Sequence, residues 1–357
     1  MQDAATTLFL IGAAARFGGY LCVFTIVGMV VFRLLVRARL PAEPAPTGAA
    51  MSWQAVLERR AARYGLLACS ALVVFDLVRL WEQIKAFSGA DPATLELAGV
   101  ILGGTLWGSG WKLQVAAAAG AGLCFAAAAR RWPAAWPLAG GLALLAAVSR
   151  PLTGHALEQG SWLSLPVILQ AVHVLAGAVW IGTLFAVLAI GLPGARSLPA
   201  PRRTAAIASL VAGFSPVALS AATALFMAGA ATSFLYLDRP RSLFATAYGL
   251  VLLAKIGGFA VVAAAGYFNW QKVRPVLEAA ARQGAGAGET GAAAGATDAD
   301  RRLPAGESDV VSGGVDADRR AQAGEATLLR AASLELAIAV AVLALTAVLV
   351  ALPMPAG

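Results

Sequence analysis

The two histidines of the chain are the residues best suited to chemistry. His155 lies in the segment LTGHAL, and His173 lies in the apolar segment QAVHVLAGAVWIGTLF. Imidazole is the commonest side-chain ligand of transition metals, and copper accepts imidazole together with a thioether sulfur. Met227 comes out at a depth similar to that of His173, so these three side chains form a candidate metal set. The alternative for His173 is an ordinary hydrogen bond between helices.

Four further ionisable residues, Arg16, Asp76, Arg79 and Lys255, also occupy apolar segments. A charged side chain inside a membrane span costs free energy unless it is paired or faces an internal cavity. At a rise of about 1.5 Å per residue, these groups and His173 lie at one level, in the outer third of the membrane. A purely structural role remains open, in which Asp76 pairs with Arg16 or Lys255 and Arg79 extends to the lipid headgroups.

The composition indicates which elements must position these residues. The chain has 357 residues, of which 59% are hydrophobic and 13% charged, and its mean hydropathy is +0.75. Such a chain has too little polar surface for a soluble enzyme, so we predict an all-α polytopic membrane helix bundle. Eight segments are long and apolar enough to span a bilayer: 8–32, 64–82, 110–129, 134–150, 167–190, 206–235, 248–270 and 330–352.

The distribution of arginine and lysine predicts the orientation. Basic residues are concentrated in the loops after the first, third, fifth and seventh spans and are sparse in the alternate loops. By the positive-inside rule the basic loops face the cytoplasm, which places both termini on the extracytoplasmic side. The net charge of +8 is therefore topogenic, and it does not indicate nucleic-acid binding.

Several segments are not expected to span the membrane or to carry chemistry. Residues 277–328 are poor in large apolar side chains and are predicted to form a disordered cytoplasmic linker. This linker separates a seven-span bundle, 1–276, from an eighth span with a short outer tail, 329–357. The apolar stretch 95–107 is too short to span. Cys22, Cys69 and Cys124 have no paired spacing, and we interpret them as buried packing residues.

The sequence also excludes some classes of function. It contains no phosphate-binding loop and no motif of a phosphorylated ion pump, so we expect neither ATP-driven transport nor an enzyme. No cleavable signal peptide is expected, because no basic region precedes the first apolar segment.

Several motifs, taken in order, resemble the copper resistance protein D family of bacterial inner-membrane proteins. They are the run HVLAGAVWIGTL, the preceding TGHAL, the run FSPVALSAATALFMAGAATSF, the segment TAYGLVLLAKIGGFAVVAAAGYFN and the last apolar run RAASLELAIAVAVLALTAVL. The resemblance covers about residues 140–350, with TLWGSGW at 105–111 as a weaker similarity.

The resemblance implies an inner-membrane protein with eight spans that moves copper ions, in partnership with a small periplasmic copper-binding (CopC-like) protein. The family positions that it carries over to this chain are His155, His173, Trp180, Ser215, Lys255 and Asn269. Met-rich and His-rich tracts, which copper acceptors often carry, are lacking here, so the direction of transport stays open.

Our working hypothesis is a copper conduit. His155 is the first ligand for copper arriving from outside, His173 is the deeper ligand and Met227 is a third candidate. Asp76 would compensate the charge of the cation, while Lys255 and Arg16 would set the local potential and hold the carboxylate.

Two alternatives stay open at this point. One is a haem-binding membrane redox protein with two axial histidines. The other is a non-transporting docking or sensor protein for a periplasmic copper chaperone. For the conduit, Pro216 is expected to free a backbone carbonyl near Ala212 and to kink the sixth span beside the cavity.

Overall fold

The computed structural model describes residues 2–40, 51–88, 94–154, 161–236, 241–273, 275, 279 and 307–351. Within these ranges the chain is helical and contains no strand. The helices are α1 Gln2–Arg39, α2 Trp53–Ser88, α3 Leu95–Gly104, α4 Leu106–Ala129, α5 Ala135–Ser149, α6 Leu165–Ala186, α7 Leu192–Ala195, α8 Ala200–Tyr236, α9 Ser242–Ala245, α10 Ala247–Phe268 and α11 Glu307–Ala351. A 3-10 turn, Arg150–Thr153, follows α5, and the π-helical segments Val187–Gly191 and Asn269–Val273 extend α6 and α10.

The prediction of an all-α polytopic membrane bundle is confirmed. Eight helices of the described chain are long and apolar enough to cross a membrane, and they follow the order of the eight predicted spans. The helices extend beyond the apolar runs at most ends, because flanking polar residues continue the same hydrogen-bonded backbone into the interfacial region. Most of α1 is buried by other helices, whereas α10 is largely exposed on the outside of the bundle.

Helix α1 is the centre of the bundle. It packs against α2, α5, α6, α8 and α11, while α4 joins α2 to α5 and α10 pairs with α11. The closest approach is between α1 and α6, where Gly28 faces Gly182 and a Cβ on either glycine would overlap the backbone of the other helix. Small residues at such crossings let membrane helices pack backbone against backbone.

The segment after α2 forms a short helix and not a span. Thr94 caps α3, because its hydroxyl accepts a hydrogen bond from the backbone N–H of Leu97 at 3.1 Å. Thr105 ends α3 and caps α4 in the same way, through Gly108 at 2.9 Å. These two threonine caps divide one apolar stretch into a surface helix and the start of the next span.

The structure corrects the end of the predicted linker. Residues 307–328 belong to α11, which runs without a break from Glu307 into the last span. Four alanines, two arginines and two glutamates there have high helix propensity, so a segment without an apolar core can still extend an adjoining helix. The rest of that prediction is 277–306, and apart from residue 279 it lies outside the described residues.

Helix α8 continues through Pro216 without interruption. Proline has no N–H, so the carbonyl of Ala212 lacks its usual helical partner. Ser215, beside the proline, donates its hydroxyl to the carbonyl of Val211 at 2.8 Å.

Candidate metal-binding site

His173 lies in α6 and bridges to α8. Its Nδ1 atom is 3.1 Å from the carbonyl oxygen of Leu225. A carbonyl oxygen can only accept, so the hydrogen bond requires the proton to be on Nδ1. This tautomer leaves a lone pair on Nε2, and a histidine oriented through its other nitrogen is the usual arrangement of a metal ligand.

Gly229 makes room for the imidazole. A Cβ at this position would lie 2.9 Å from Cε1 of His173 and 3.1 Å from Nδ1. Gly177, one turn along α6, likewise lies close to Phe24 of α1, where a Cβ would be 3.0 Å from the ring. Gly229 therefore allows the imidazole to sit between α6 and α8, and Gly177 allows the Phe24 ring of α1 to pack against α6.

His173 lines a cavity of about 60 Å³ at the point where five helices meet. A volume of this size holds a metal ion with a few waters and has no room for a porphyrin. Lys255 of α10 is the basic residue among those that line the cavity. The other lining residues are Tyr20, Phe24, Gln170, Val174, Gly177, Ile181, Leu225, Ala339, Val342, Leu343 and Thr346.

Met227 is not brought to His173. It is 63% exposed, and it lies midway between Leu225 and Gly229, the two α8 residues that contact the imidazole. Two residues correspond to a rotation of roughly 200° around a helix, so the thioether points away from α6. No cluster of three or more His, Cys, Asp or Glu side chains suited to a metal occurs in the described part of the chain.

His155 lies outside the described residues, so the structure neither joins it to His173 nor separates it. The chain just before it is firmly held: the turn Arg150–Thr153 is buried. Arg79 donates from Nη1 to the Thr153 hydroxyl and from Nη2 to the Thr153 carbonyl, both at 2.7 Å. Arg79 is thus buried and bonded to protein, and it does not extend to the lipid headgroups.

Asp76 pairs with Arg150, which differs from both expected partners. The Arg150 Nη1 atom lies 3.1 Å from Oδ1 of Asp76, and Asp76 is only 1% exposed. Gln114 of α4 donates to the same oxygen at 3.4 Å, and Trp111 donates to the Asp76 backbone carbonyl at 2.7 Å. Helix rotation turns Asp76 toward the end of α5, so its charge is already matched by a buried arginine.

Arg16 and Lys255 are likewise in other surroundings than expected. Arg16 forms an ion pair with Glu82 of α2 at 3.0 Å. Lys255 lines the His173 cavity. The ionisable residues thus divide into three places and do not meet at one centre.

Tyr20 of α1 links the Asp76 cluster to the His173 cavity. The guanidinium carbon of Arg150 lies 4.9 Å from the centroid of the Tyr20 ring, a cation–π contact. The same tyrosine lines the cavity. The Tyr20 ring therefore lies between the cavity and the buried guanidinium group of Arg150.

The remaining predicted residues have supporting positions. Trp180 is buried and packs edge-on against Phe259 of α10, with ring centroids 5.8 Å apart. Ser215 is more than two turns along α8 from Leu225, so neither it nor the Pro216 region lines the cavity. Asn269 begins the π-helical segment at the end of α10.

Sequence reasoning missed Arg150, Glu82 and Gly229. Arg150 ends an apolar run, where an arginine is normally counted as a loop residue, and Glu82 was outside the apolar core of its span. Gly229 lies four residues after Leu225 and so on the same face of α8, but the sequence does not show that this face meets His173.

Two family descriptions match the chain. "Copper resistance protein D-like, N-terminal domain" matches residues 1–165, and "Copper resistance protein D" matches residues 208–349. The chain belongs to the copper resistance protein D family. The N-terminal match begins at residue 1, well before residue 140, where the motifs that carry the resemblance begin. No curated protein and no solved structure is significantly similar to the chain.

Membership makes the chain a copper-resistance membrane protein. The first match ends at residue 165, where α6 begins, and it contains the Asp76 cluster. The second match begins at residue 208, within α8, and it contains Leu225, Gly229 and Lys255. His173 lies between the two matched ranges and contacts residues of the second.

Proposed function

We propose that this copper resistance protein D family member takes copper from the periplasmic side and passes it into the bundle through a histidine site. The observation that carries the proposal is the His173–Leu225 contact, which leaves Nε2 of His173 as a free ligand at a cavity lined by five helices. A histidine that served only to join two helices would not need a cavity beside it.

His155 would receive the ion first and His173 would be the deeper ligand. Thr153, two residues before His155 in the chain, is fixed by two hydrogen bonds from Arg79, which supports a defined position for this part of the path. Met227 is left out of the proposed ligand set because of its position on α8. Trp180 would support the site by packing α6 against α10.

The charged residues have revised roles in this proposal. Asp76 and Arg150 act as an internal pair that holds the end of α5 against α2, and Arg16 with Glu82 joins α1 to α2. Lys255 is the cation that an entering ion meets in the cavity.

The proposed setting is the inner membrane, with both termini outside and a periplasmic copper-binding protein as donor. The extracytoplasmic placement follows from the charge distribution of the loops. Movement of copper would then be passive, coupled to another ion, or completed by transfer to a partner.

The test separates a ligand role of His173 from a structural one. In His173→Asn, the amide nitrogen replaces Nδ1 as donor to Leu225, but no atom replaces Nε2. We expect cellular copper accumulation to change as much in this variant as in His173→Ala, and the His155→Ala change to be of the same sign. Protein abundance in the membrane is measured in parallel.

The matched control is Gln271→Ala, an exposed residue beyond the end of α10. It should accumulate copper as the unaltered protein does. Normal copper handling by His173→Asn, together with loss in His173→Ala, would assign the imidazole to helix packing and defeat the proposal. Copper flux into vesicles distinguishes the conduit from a protein that only docks a copper chaperone.

A further inference from the structure

In the described part of the chain, the charged side chain that lines the His173 cavity is that of Lys255. Lys255 lines it, and within the described residues no carboxylate lines the cavity and none forms an ion pair with this lysine. His173 is neutral in the tautomer that its hydrogen bond requires. The other polar lining residues, Tyr20, Gln170 and Thr346, carry no charge.

A second positive region lies behind Tyr20. Arg150 stacks on that ring, and its charge is matched by Asp76 at 3.1 Å. Arg79 adds a further positive charge to the same cluster, and its two hydrogen bonds go to the neutral oxygens of Thr153. The buried cluster therefore has two arginines for one carboxylate, and its net charge is positive.

From this arrangement we propose that the cavity admits monovalent soft metal ions, copper(I) and its analogue silver(I), and excludes divalent ions, with Lys255 as the residue that discriminates. The inference rests on the proposed function, since it assumes that a metal ion enters at His173.

The physical reason is that two costs of bringing an ion into the cavity rise with its charge: repulsion from the lysine and loss of hydration. Repulsion from a fixed ammonium doubles when the entering ion carries two charges. The cost of removing an ion from water in a medium of low dielectric constant rises still faster with its charge. A divalent ion is normally compensated by carboxylates or thiolates, and the described lining of this cavity contains neither.

Ligand chemistry narrows the choice among monovalent ions. Sodium and potassium require several oxygen ligands, whereas the lining here is mainly aliphatic and aromatic. Copper(I) and silver(I) are soft ions that bind an imidazole nitrogen well and need few ligands. The ion is bound as it arrives, so the proposal requires no change of oxidation state.

The experiment uses the full-length protein in liposomes and measures metal uptake by elemental analysis after removal of external ions. Silver(I) is the monovalent probe, because it is not reduced or oxidised under these conditions, and zinc(II) is the divalent probe that also binds imidazole. We expect silver uptake to exceed zinc uptake by at least about tenfold. The second charge of zinc adds a repulsion from the Lys255 ammonium, and at several ångströms this repulsion exceeds the free energy that corresponds to a tenfold ratio.

Lys255→Leu removes the charge and adds no metal ligand, whereas a methionine would bring a thioether that binds silver(I). We expect the silver-to-zinc ratio to fall by at least about tenfold because zinc entry rises. Lys112→Leu, which alters an exposed lysine of α4, is the matched control and should retain the original ratio. Lys255→Arg, which keeps the charge, should also retain discrimination.

The outcomes separate this inference from the function on which it rests. Zinc uptake equal to silver uptake by the unaltered protein would overturn the inference while leaving metal transport intact, and this comparison needs no variant. An unchanged ratio in correctly assembled Lys255→Leu would overturn the role of Lys255. Absence of uptake of both ions above empty liposomes would instead defeat the proposed function, and the inference with it.

Discussion

At the scale of single residues, two features of α8 set the orientation of the His173 ring. Leu225 offers a backbone carbonyl, and Gly229 offers empty space one turn later. The orientation of a ligand is commonly set by such a contact to its second nitrogen, and loss of it typically costs 10–100-fold in metal affinity, as an order of magnitude. The ring of His173 should therefore be sensitive to a methyl group on another helix.

Gly229→Ala tests this directly. The added Cβ would be 2.9 Å from the imidazole, so the ring must leave its hydrogen bond or α8 must shift. We expect copper affinity of the purified protein to fall at least about tenfold, with the helical content unchanged. Gly257→Ala on α10, where a Cβ meets nothing within 4 Å, should bind copper normally. Equal affinity of both variants would contradict the account of His173.

The Asp76 cluster is the second feature at this scale. Removing one partner of a buried ion pair leaves an uncompensated charge, which costs about 3–5 kcal/mol. Asp76→Asn leaves the guanidinium groups of Arg150 and Arg79 together in a buried site without a carboxylate. We therefore expect a loss of about 3 kcal/mol in the free energy of unfolding, measured by denaturation in detergent.

Glu82→Gln is the comparison for that measurement. It breaks the Arg16–Glu82 ion pair on the neighbouring helices, whose two side chains are partly exposed, so a smaller loss is expected. A loss for Asp76→Asn no larger than that for Glu82→Gln would show that Asp76 is not the structural centre of the cluster.

At the scale of elements, the local sequence predicts where each helix lies in the chain. It does not predict which helices pack against each other. Apolar length alone located all eight spans, because each span satisfies its own backbone hydrogen bonds. The number of residues from the end of each span also placed Asp76, Arg16 and Lys255 at a similar depth in the membrane. It did not give the rotation of each helix, so the pairs Asp76–Arg150 and Arg16–Glu82 were not predicted.

Met227 illustrates the same limit within the candidate site. Its depth matched that of His173, but α8 turns Leu225 and Gly229 toward the imidazole and Met227 away from it. A periodicity argument within α8 could have separated these faces only if the residue facing His173 had been known beforehand. The cavity itself is a product of five helices, and no single segment encodes it.

The α1–α6 crossing brings two helix backbones close together at Gly28 and Gly182. Gly182→Ala places a methyl group against backbone atoms around Phe24 and Gly28, and a backbone clash cannot be relieved by a change of rotamer. Overpacking typically costs about 1–3 kcal/mol, so we expect a clear fall in the thermal unfolding temperature in detergent. Gly141→Ala, at an open position of α5, should unfold at the temperature of the unaltered protein or slightly above it. Equal stability of the two variants would contradict the close crossing.

At the scale of the whole molecule, the proposed entry of copper from the periplasm depends on the orientation in the membrane. The alternation of basic loops predicts that the segment before α6 is extracytoplasmic and the segment after α7 cytoplasmic. Cysteines introduced at the exposed residues Ser161 and Ser197 report on these two segments. We expect a membrane-impermeant maleimide to label Ser161→Cys in intact spheroplasts and Ser197→Cys only after permeabilisation. Labelling in the opposite order would reverse the topology and the proposed direction of entry.

The central claim is that histidine nitrogen holds copper inside this bundle, and X-ray absorption of copper-loaded protein tests it most directly. The protein is purified, loaded with copper(I) under reducing conditions and compared with His173→Asn. We predict about one copper ion per chain, with the outer-shell scattering typical of imidazole, and a loss of that scattering in the variant. Copper retained with the same spectrum in His173→Asn, or no copper retained by the unaltered protein, would contradict the account.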